Sequence, residues 1–216
     1  MKRFLSILIA LVLMFCFAVT VCAEAPKATP LPAPQMDGGK PLMQALKARC
    51  TTREFSSEAL SPQELSNLLW AACGINRPEK GLRTAPTAMN KQEIDVYVAL
   101  ADGLYLYDAK ANALSLVLAQ DLREATGKQP FVKDAPVNLV FVADYTRMGE
   151  GPKEMKDFYS AMDTGYISEN VYLYCASAGL ATVARGWVDK EALAKAMNLG
   201  ADQKVILAQT VGYPKK

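Results

Sequence analysis

Apolar and polar positions recur along the chain in blocks that predict both helices and strands. The clearest helix signal begins at Ser61, where Ser61 and Glu64 form a capping box, and ends at Gly74. Between these ends an apolar stripe recurs every three or four residues: Leu65, Leu68, Leu69 and Ala72. This segment therefore predicts a helix with one buried face.

Other segments show strand or helix periodicity, and Asp102-Gly103 is a two-residue hairpin signal. The predicted strands are 94–100, 104–108, the apolar run 137–144, one within 181–188 and one within 204–214. The further predicted helices are 42–49, 156–178 and 190–197. In the helix 156–178, the residues expected to face inward are Met162, Ile167, Val171, Tyr174 and Cys175. Interleaved helices and strands predict an α+β domain whose mixed or antiparallel sheet is covered by helices.

The first 23 residues have the layout of a secretory signal peptide. Lys2 and Arg3 precede an uncharged apolar run over 4–21, and Val21 and Ala23 suit cleavage after Ala23. We therefore expect the folded part to be periplasmic or secreted. An uncleaved membrane anchor is the alternative. Lipid attachment at Cys22 is disfavoured by the preceding Val21.

Residues 24–41, EAPKATPLPAPQMDGGKP, are rich in Pro, Ala and Gly and lack apolar periodicity. This composition predicts an extended linker. The predicted folded domain is then 42–216, which is long enough for one well-buried domain.

Charge and residue usage exclude several classes of function. The chain has 24 basic and 22 acidic residues, and cleavage after Ala23 removes two basic residues and no acidic one. The resulting net charge of zero does not favour nucleic-acid binding. The chain has no histidine, which removes Ser-His and Cys-His catalysis and most zinc chemistry. Three cysteines remain after cleavage (Cys50, Cys73 and Cys175), without metal-ligand spacing, so we predict no metal site.

The stretch ARCTTREFS, residues 48–56, concentrates hydrogen-bond donors. Arg49 and Arg53 lie four residues apart, with Cys50, Thr51 and Thr52 between them. Such spacing is common on solvated helix faces. The β-branched threonines are poor helix-interior residues, however, and favour a helix end followed by a loop. An anion site and a solvated face both remain open from spacing alone.

Five blocks of the chain together resemble the nitroreductase family of FMN-dependent oxidoreductases. They are ARCTTREFSSEALSPQELSNLLWAACGI, RTAPTAMNKQEIDVYVAL, GKQPFVKDAPVNLVFVAD, AMDTGYISENVYLYCASAGLATVARGWVD and VILAQTVGYP. The resemblance covers about residues 42–214 and is closest to the branch with thiazole- and oxazole-forming peptide dehydrogenases. It implies an α+β fold with FMN at a homodimer interface.

The resemblance also implies a set of FMN-binding residues. Arg49 and Thr51 would bind the phosphate and ribityl chain, with Cys50 between them, and Arg53 would lie near the pyrimidine edge of the ring. The loop with Pro86, Thr87, Ala88 and Asn90 would cover the ring, commonly in the partner subunit. Gln129 would hydrogen-bond the ring, and the backbone at Arg185 and Gly186 would approach flavin N5. Taken singly, Pro86 also suits a turn, Gln129 a surface amide and Gly186 a bulge.

The implied activity is hydride transfer in two half-reactions, from NAD(P)H or another donor to a nitroaromatic or quinone-like acceptor. No catalytic side chain is implied. A relative of the peptide dehydrogenases that acts on a peptide, or a binding module without turnover, are alternatives. Three features depart from the family pattern. Cys50 occupies a position that is often basic or polar, and Glu169 stands where many relatives have Gln. The sequence also stops at Lys216 without the arm that many relatives exchange between subunits, which puts an arm-exchanged dimer in doubt.

Overall fold

Seven strands form one antiparallel sheet in the computed structural model, which describes residues 28–216. The strands are β1 (Ala28–Pro30), β2 (Ile75–Arg77), β3 (Leu82–Arg83), β4 (Ile94–Leu100), β5 (Gly103–Asp108), β6 (Ala113–Leu118), β7 (Val137–Asp144), β8 (Ala181–Arg185) and β9 (Gln203–Gly212). The helices are α1 (Leu42–Ala48), α2 (Pro62–Cys73), α3 (Lys153–Ala178) and α4 (Lys190–Ala196). The predicted signal peptide, residues 1–23, lies outside the described residues.

The strand order in the main sheet is β1-β6-β5-β4-β7-β9-β8, and β2 and β3 form a separate small hairpin. Every pair of neighbouring strands is antiparallel. The α+β class with a helix-covered antiparallel sheet is thus confirmed, and β4 and β7 have the predicted bounds.

Hydrophobic cores lie on both faces of the sheet. On one face, α2 and α3 pack against side chains such as Val96, Leu139 and Phe141. On the other face, Val140 and Val142 pack with Leu193 and Met197 from α4 and the residue that follows it. Strand β7 contributes to both cores, which explains why its sequence is apolar without alternation.

The two longer helices follow the local signals of the sequence. Helix α2 begins at the predicted capping box, since the Ser61 side chain accepts from the Glu64 N–H and the Glu64 carboxylate accepts from the Ser61 N–H. Helix α3 ends at Gly179, whose φ of 77° is in the left-handed region. Ile167, Val171 and Cys175 face inward as predicted. The inward placement of Met162 was wrong, because its side chain is 36% exposed.

The segment predicted as a linker is instead part of the folded domain from Ala28 onward. Ala28–Pro30 pairs with β6 at the sheet edge. The Pro32 carbonyl then accepts from Ser66 Oγ and from Asn112 Nδ2, at 2.5 and 2.9 Å. A proline-rich segment can form an edge strand because such a strand needs few backbone donors. The prediction of a free tether is therefore corrected for residues 28–41.

Within residues 28–216, no helix combines the length and apolarity needed to span a bilayer.

Candidate functional site

Arg49 and Thr51 meet on one aromatic side chain of α3. The Arg49 guanidinium lies 5.4 Å from the centre of the Tyr172 ring. The Thr51 hydroxyl is 3.1 Å from the Tyr172 hydroxyl, which also accepts from the Ala184 N–H at 2.9 Å. Tyr172 thus fixes this segment to β8. Its role was missed in the sequence because it lies 121 residues from Thr51.

The segment after α1 is held in an extended course by backbone hydrogen bonds. The Thr52 N–H donates to the Thr182 carbonyl at 3.0 Å, and the Ser56 N–H donates to the Tyr213 carbonyl at 2.9 Å. Arg49, half-buried, is the C-cap of α1, so the cluster occupies a helix end and a loop. Arg53 follows on this segment and is exposed. The solvated helix face, the alternative considered for this spacing, is not what the structure shows.

The two arginines are uncompensated cations among the described residues. No carboxylate there lies within ion-pair distance of Arg49 or Arg53, although ion pairs form elsewhere, as at Arg123–Asp121 and Arg147–Asp95. The Arg49 guanidinium beside the Thr51 hydroxyl suits a phosphate, which carries nearly two negative charges. Arg49 and Thr51 therefore fit the phosphate end of FMN, and the Arg53 guanidinium suits the negative charge of a reduced flavin ring.

Cys50 is not part of this donor set. Its Sγ lies 3.7 Å from Thr52 Oγ1, whereas Arg49 and Thr51 contact Tyr172. Cys50 points away from Arg49 and Thr51 because the backbone is extended here, and successive side chains of an extended segment point to opposite sides. The predicted role of Cys50 at the cofactor stays a prediction.

Arg185, at the end of β8, has a buried side chain that bonds to three other parts of the chain. Its guanidinium donates to the Thr126 carbonyl at 2.7 Å, to Thr210 Oγ1 at 2.9 Å and to Asn138 Oδ1 at 3.0 Å. Burial lowers the pKa of Arg185 to about 10, so the group still carries its charge at neutral pH. The side chain is 3% exposed and cannot reach a ligand, so only the backbone of Arg185 remains available.

The segments that carry Gln129 and Gly186 lie side by side next to Arg185. The Lys128 N–H donates to the Trp187 carbonyl at 3.2 Å. A side chain at Gly127 would place its Cβ 1.9 Å from Arg185 Nη1 and 2.9 Å from Gln129 Oε1, so only glycine fits there. Gln129 Oε1 is buried without a hydrogen-bond partner, and a Cβ at Gly186 would meet open space. The Gln129 side-chain oxygen, a hydrogen-bond acceptor, therefore lies near the Gly186 backbone, which a ligand could approach closely.

Strand β8 runs between two groups of residues: the corner formed by Gln129, Arg185 and Gly186, and the arginine cluster formed by Arg49, Thr51 and Arg53. Thr182 binds the segment after Arg49, and Gly186 follows four residues later, about 13 Å along an extended strand. Arg49, Thr51 and Arg53 therefore lie on a segment bonded to β8, and Gln129, Arg185 and Gly186 lie at the end of that strand.

The loop 86–90 lies elsewhere in the same chain. Its Ala88 N–H donates to Asp163 Oδ2 at 2.8 Å. Asp163 and Tyr172 are nine residues apart on α3, which corresponds to about 14 Å and to opposite sides of the helix. The structure therefore does not bring Pro86, Thr87, Ala88 and Asn90 to the arginine cluster within one subunit.

Two cavities among the described residues are lined by residues outside strand β8. One of about 830 Å³ is lined by Trp70, Arg83, Tyr107 and their neighbours, and another of about 840 Å³ by Phe55, Tyr213 and the residues after it. Across residues 28–216, no group of three or more His, Cys, Asp and Glu side chains is arranged to hold a metal ion.

Comparison with known proteins identifies the family. The model of the nitroreductase family matches residues 46–213. The chain belongs to the nitroreductase family. A nitroreductase-family crystal structure from Ralstonia eutropha JMP134 is 48% identical, with a TM-score of 0.84 over 88% of this chain and 90% of that one. A protein of Methanocaldococcus jannaschii named as a nitroreductase is 32% identical over 155 residues, 67% of this chain and 78% of its own length.

A structure that is remote in sequence shares the fold. The Escherichia coli microcin synthetase McbBCD complex, with truncated pro-MccB17 bound, is 19% identical to this chain. Its TM-score is 0.70 over 78% of this chain and 70% of that one. This likeness shows a shared fold.

Proposed function

We propose that this nitroreductase-family chain is an exported, homodimeric FMN-dependent oxidoreductase. The observation that carries the proposal is the uncompensated pair Arg49 and Arg53 beside Thr51, at one end of the strand that leads to Gly186. Members of the family are generally flavoproteins. Bound FMN would supply hydride acceptance and donation at its N5 atom.

The residues of the chain would bind and orient the cofactor. Arg49 and the Thr51 hydroxyl would hold the phosphate, while Tyr172 keeps both in place. Arg53 would place positive charge near the pyrimidine edge. Gln129 would hydrogen-bond the ring, and Gly186 would let the backbone approach it. No side chain needs to move a proton, which suits a chain without histidine.

The proposed homodimer would complete the site. The loop 86–90 lies on the opposite side of α3 from the arginine cluster, so it would cover the ring of the partner subunit. Phe158, Met162 and Tyr166 are exposed at intervals of four residues on α3. Exposed apolar stripes of this kind mark protein–protein interfaces. The stripe would become buried in the dimer.

The proposed reaction takes a hydride from NAD(P)H or another donor and passes it to an electron-poor acceptor such as a nitroaromatic or a quinone. If residues 1–23 direct export, nicotinamide cofactors are scarce where the protein works. Export therefore favours an electron donor other than NAD(P)H. The second candidate is oxidation of a peptide, supported by the fold shared with the microcin synthetase complex.

The first test is the FMN content of protein expressed with residues 1–23 and purified from the periplasm. We expect the visible absorption of bound flavin in the wild type. Arg49→Ala should lose the flavin while it keeps its thermal stability, because it removes a phosphate donor that no carboxylate balances. Arg77→Ala is the matched control, since Arg77 is an exposed arginine on the β2–β3 hairpin. Equal flavin content in all three proteins would refute the phosphate site.

A further inference from the structure

Two buried carboxyl groups lie beneath the loop 86–90. Glu93 immediately precedes β4, Asp163 is in the middle of α3, and both are fully buried. Acidic side chains are almost never fully buried unless they are paired. Within residues 28–216, neither forms an ion pair with a lysine or arginine.

Arg147, in the turn after β7, is a cation near this pair. It donates to the Glu93 backbone carbonyl at 3.0 Å, and not to the carboxyl group. Its guanidinium is already paired with Asp95 of β4 at 2.6 Å and with Asp144 of β7 at 3.4 Å. One cation is thus shared by two other carboxylates, which leaves Glu93 and Asp163 without a full counter-charge.

The hydrogen bonds of the pair are incomplete if both groups are ionised. Asp163 Oδ2 accepts from the Ala88 N–H, but Asp163 Oδ1 and both Glu93 carboxyl oxygens lack a donor. The charge of Asp163 and a side-chain hydrogen bond to it both favour the protonated form of Glu93. A single proton would remove one buried charge and supply the missing donor. Burial, and then the neighbouring Asp163, raise the pKa of Glu93 to about 7.

The loop above the pair has an unusual backbone. Met89, Asn90 and Gln92 have φ values of 50°, 53° and 50°, in the left-handed region that few non-glycine residues adopt. Such conformations cost about 1–3 kcal/mol each and persist only where surrounding contacts impose them. The bond from the Ala88 N–H to Asp163 is the contact that ties this loop to α3.

We propose that Glu93 and Asp163 share one proton and act as positioning residues, which hold the loop 86–90 in the shape that covers the flavin of the partner subunit. The inference rests on the proposed FMN-binding function. With the proton present, Asp163 bonds to Glu93 and still accepts from Ala88. When the proton is lost, the two adjacent buried carboxylates repel each other, and this weakens the bond from the Ala88 N–H to Asp163 that holds the loop.

The pH dependence follows from a carboxyl pKa that is raised in the folded state. Stability from such a group is fully present below its ordinary pKa of 4.5 and is lost as the pH rises through about 7. The loop and the flavin affinity should weaken over the same range. A flavin phosphate gains charge near a pH of about 6, which would strengthen its binding to arginine. The two trends therefore have opposite signs.

The test compares wild type with Glu93→Gln, whose amide donates to Asp163 without a titrating proton. The FMN dissociation constant is measured by flavin fluorescence, and the Ala88 amide protection factor by hydrogen exchange in the flavin-free protein. For the wild type, we expect affinity to fall about tenfold between about pH 6 and pH 8, with a parallel loss of Ala88 protection. Glu93→Gln should show neither loss, and identical profiles for the two proteins would overturn the proposal.

Variants at Asp163 test whether the pair acts through the loop. Asp163→Asn keeps an acceptor for Ala88 and should retain protection at both pH values, whereas Asp163→Ala should lose it. Equal Ala88 protection in these two variants would also overturn the proposal. Because exchange is measured without flavin, a failure to bind FMN would refute the proposed function separately. If Glu93→Gln does not fold, Asp163→Asn provides the same comparison, because it also leaves one ionisable group.

Discussion

Arg185 is a buried cation whose hydrogen bonds all go to uncharged acceptors on three separate parts of the chain. Thr126 lies in the loop before β7, Asn138 in β7 and Thr210 in β9. A rigid guanidinium with five donors suits such a junction better than the flexible ammonium of lysine. The side chain therefore holds the corner at which Gln129 and Gly186 meet.

Two glycines at this corner should respond differently to the same substitution. Gly127→Ala would place a Cβ against Arg185 and Gln129, so we expect it to lower the free energy of unfolding by about 1–3 kcal/mol. Gly186→Ala meets no atom within 4 Å and should leave stability unchanged, but it should weaken FMN binding by blocking approach of the ring. Urea unfolding and FMN titration measure the two effects.

Gly186→Ala is the matched control for Gly127→Ala, because both add one methyl group in the same corner. Loss of stability in Gly186→Ala, or normal stability in Gly127→Ala, would contradict the packing described for Arg185. Unchanged FMN affinity in Gly186→Ala would place the ring elsewhere.

At the residue scale, local motifs were predictable and distant partners were not. The end of a helix at Arg49 follows from β-branched Thr51 and Thr52, which disfavour a helix interior. Tyr172 and the Glu93–Asp163 pair depend on contacts across 121 and 70 residues, for which one sequence carries no periodic signal. An acidic residue directly before the buried strand β4 was the available hint of the pair.

At the element scale, the elements with strong periodicity were predicted within a few residues, and weakly patterned ones were missed. Strands β4 and β7 are apolar enough to be bounded correctly. Strand β6 has three intermediate and one exposed position among six and was not predicted. Strand β1 contains a proline and three exposed residues, and only its pairing with β6 makes it a strand. Such an edge strand is defined by tertiary structure, not by local sequence.

Helix α3 carries the exposed apolar stripe that the proposed dimer would bury. Met162→Glu should therefore shift the protein towards a monomer, because a charge in a buried interface is desolvated without a partner. Light scattering after size-exclusion chromatography would report the change in mass.

The matched control is Val117→Glu, because Val117 on β6 is 38% exposed and Met162 is 36% exposed. We expect this control to keep the mass of the wild type. A monomeric wild type, or an unchanged mass for Met162→Glu, would contradict the use of this stripe as an interface.

At the scale of the whole molecule, the opposite sides of α3 separate two halves of the proposed site. The arginine cluster contacts Tyr172 on one side, and the loop 86–90 contacts Asp163 on the other. One subunit can therefore offer phosphate donors to one flavin while it covers a second flavin bound mainly by its partner. This arrangement predicts that defects in the two halves complement each other between subunits.

Mixed dimers of Arg49→Ala and Asn90→Ala chains test this arrangement directly. Each homodimer has a defect in both sites and should bind FMN weakly. In the mixed dimer, one site has both defects and the other has none if the loop serves the partner. We therefore expect one tight FMN site per mixed dimer, measured by titration after purification through two different affinity tags. If the loop served its own subunit, every site would keep one defect, and no tight site would appear.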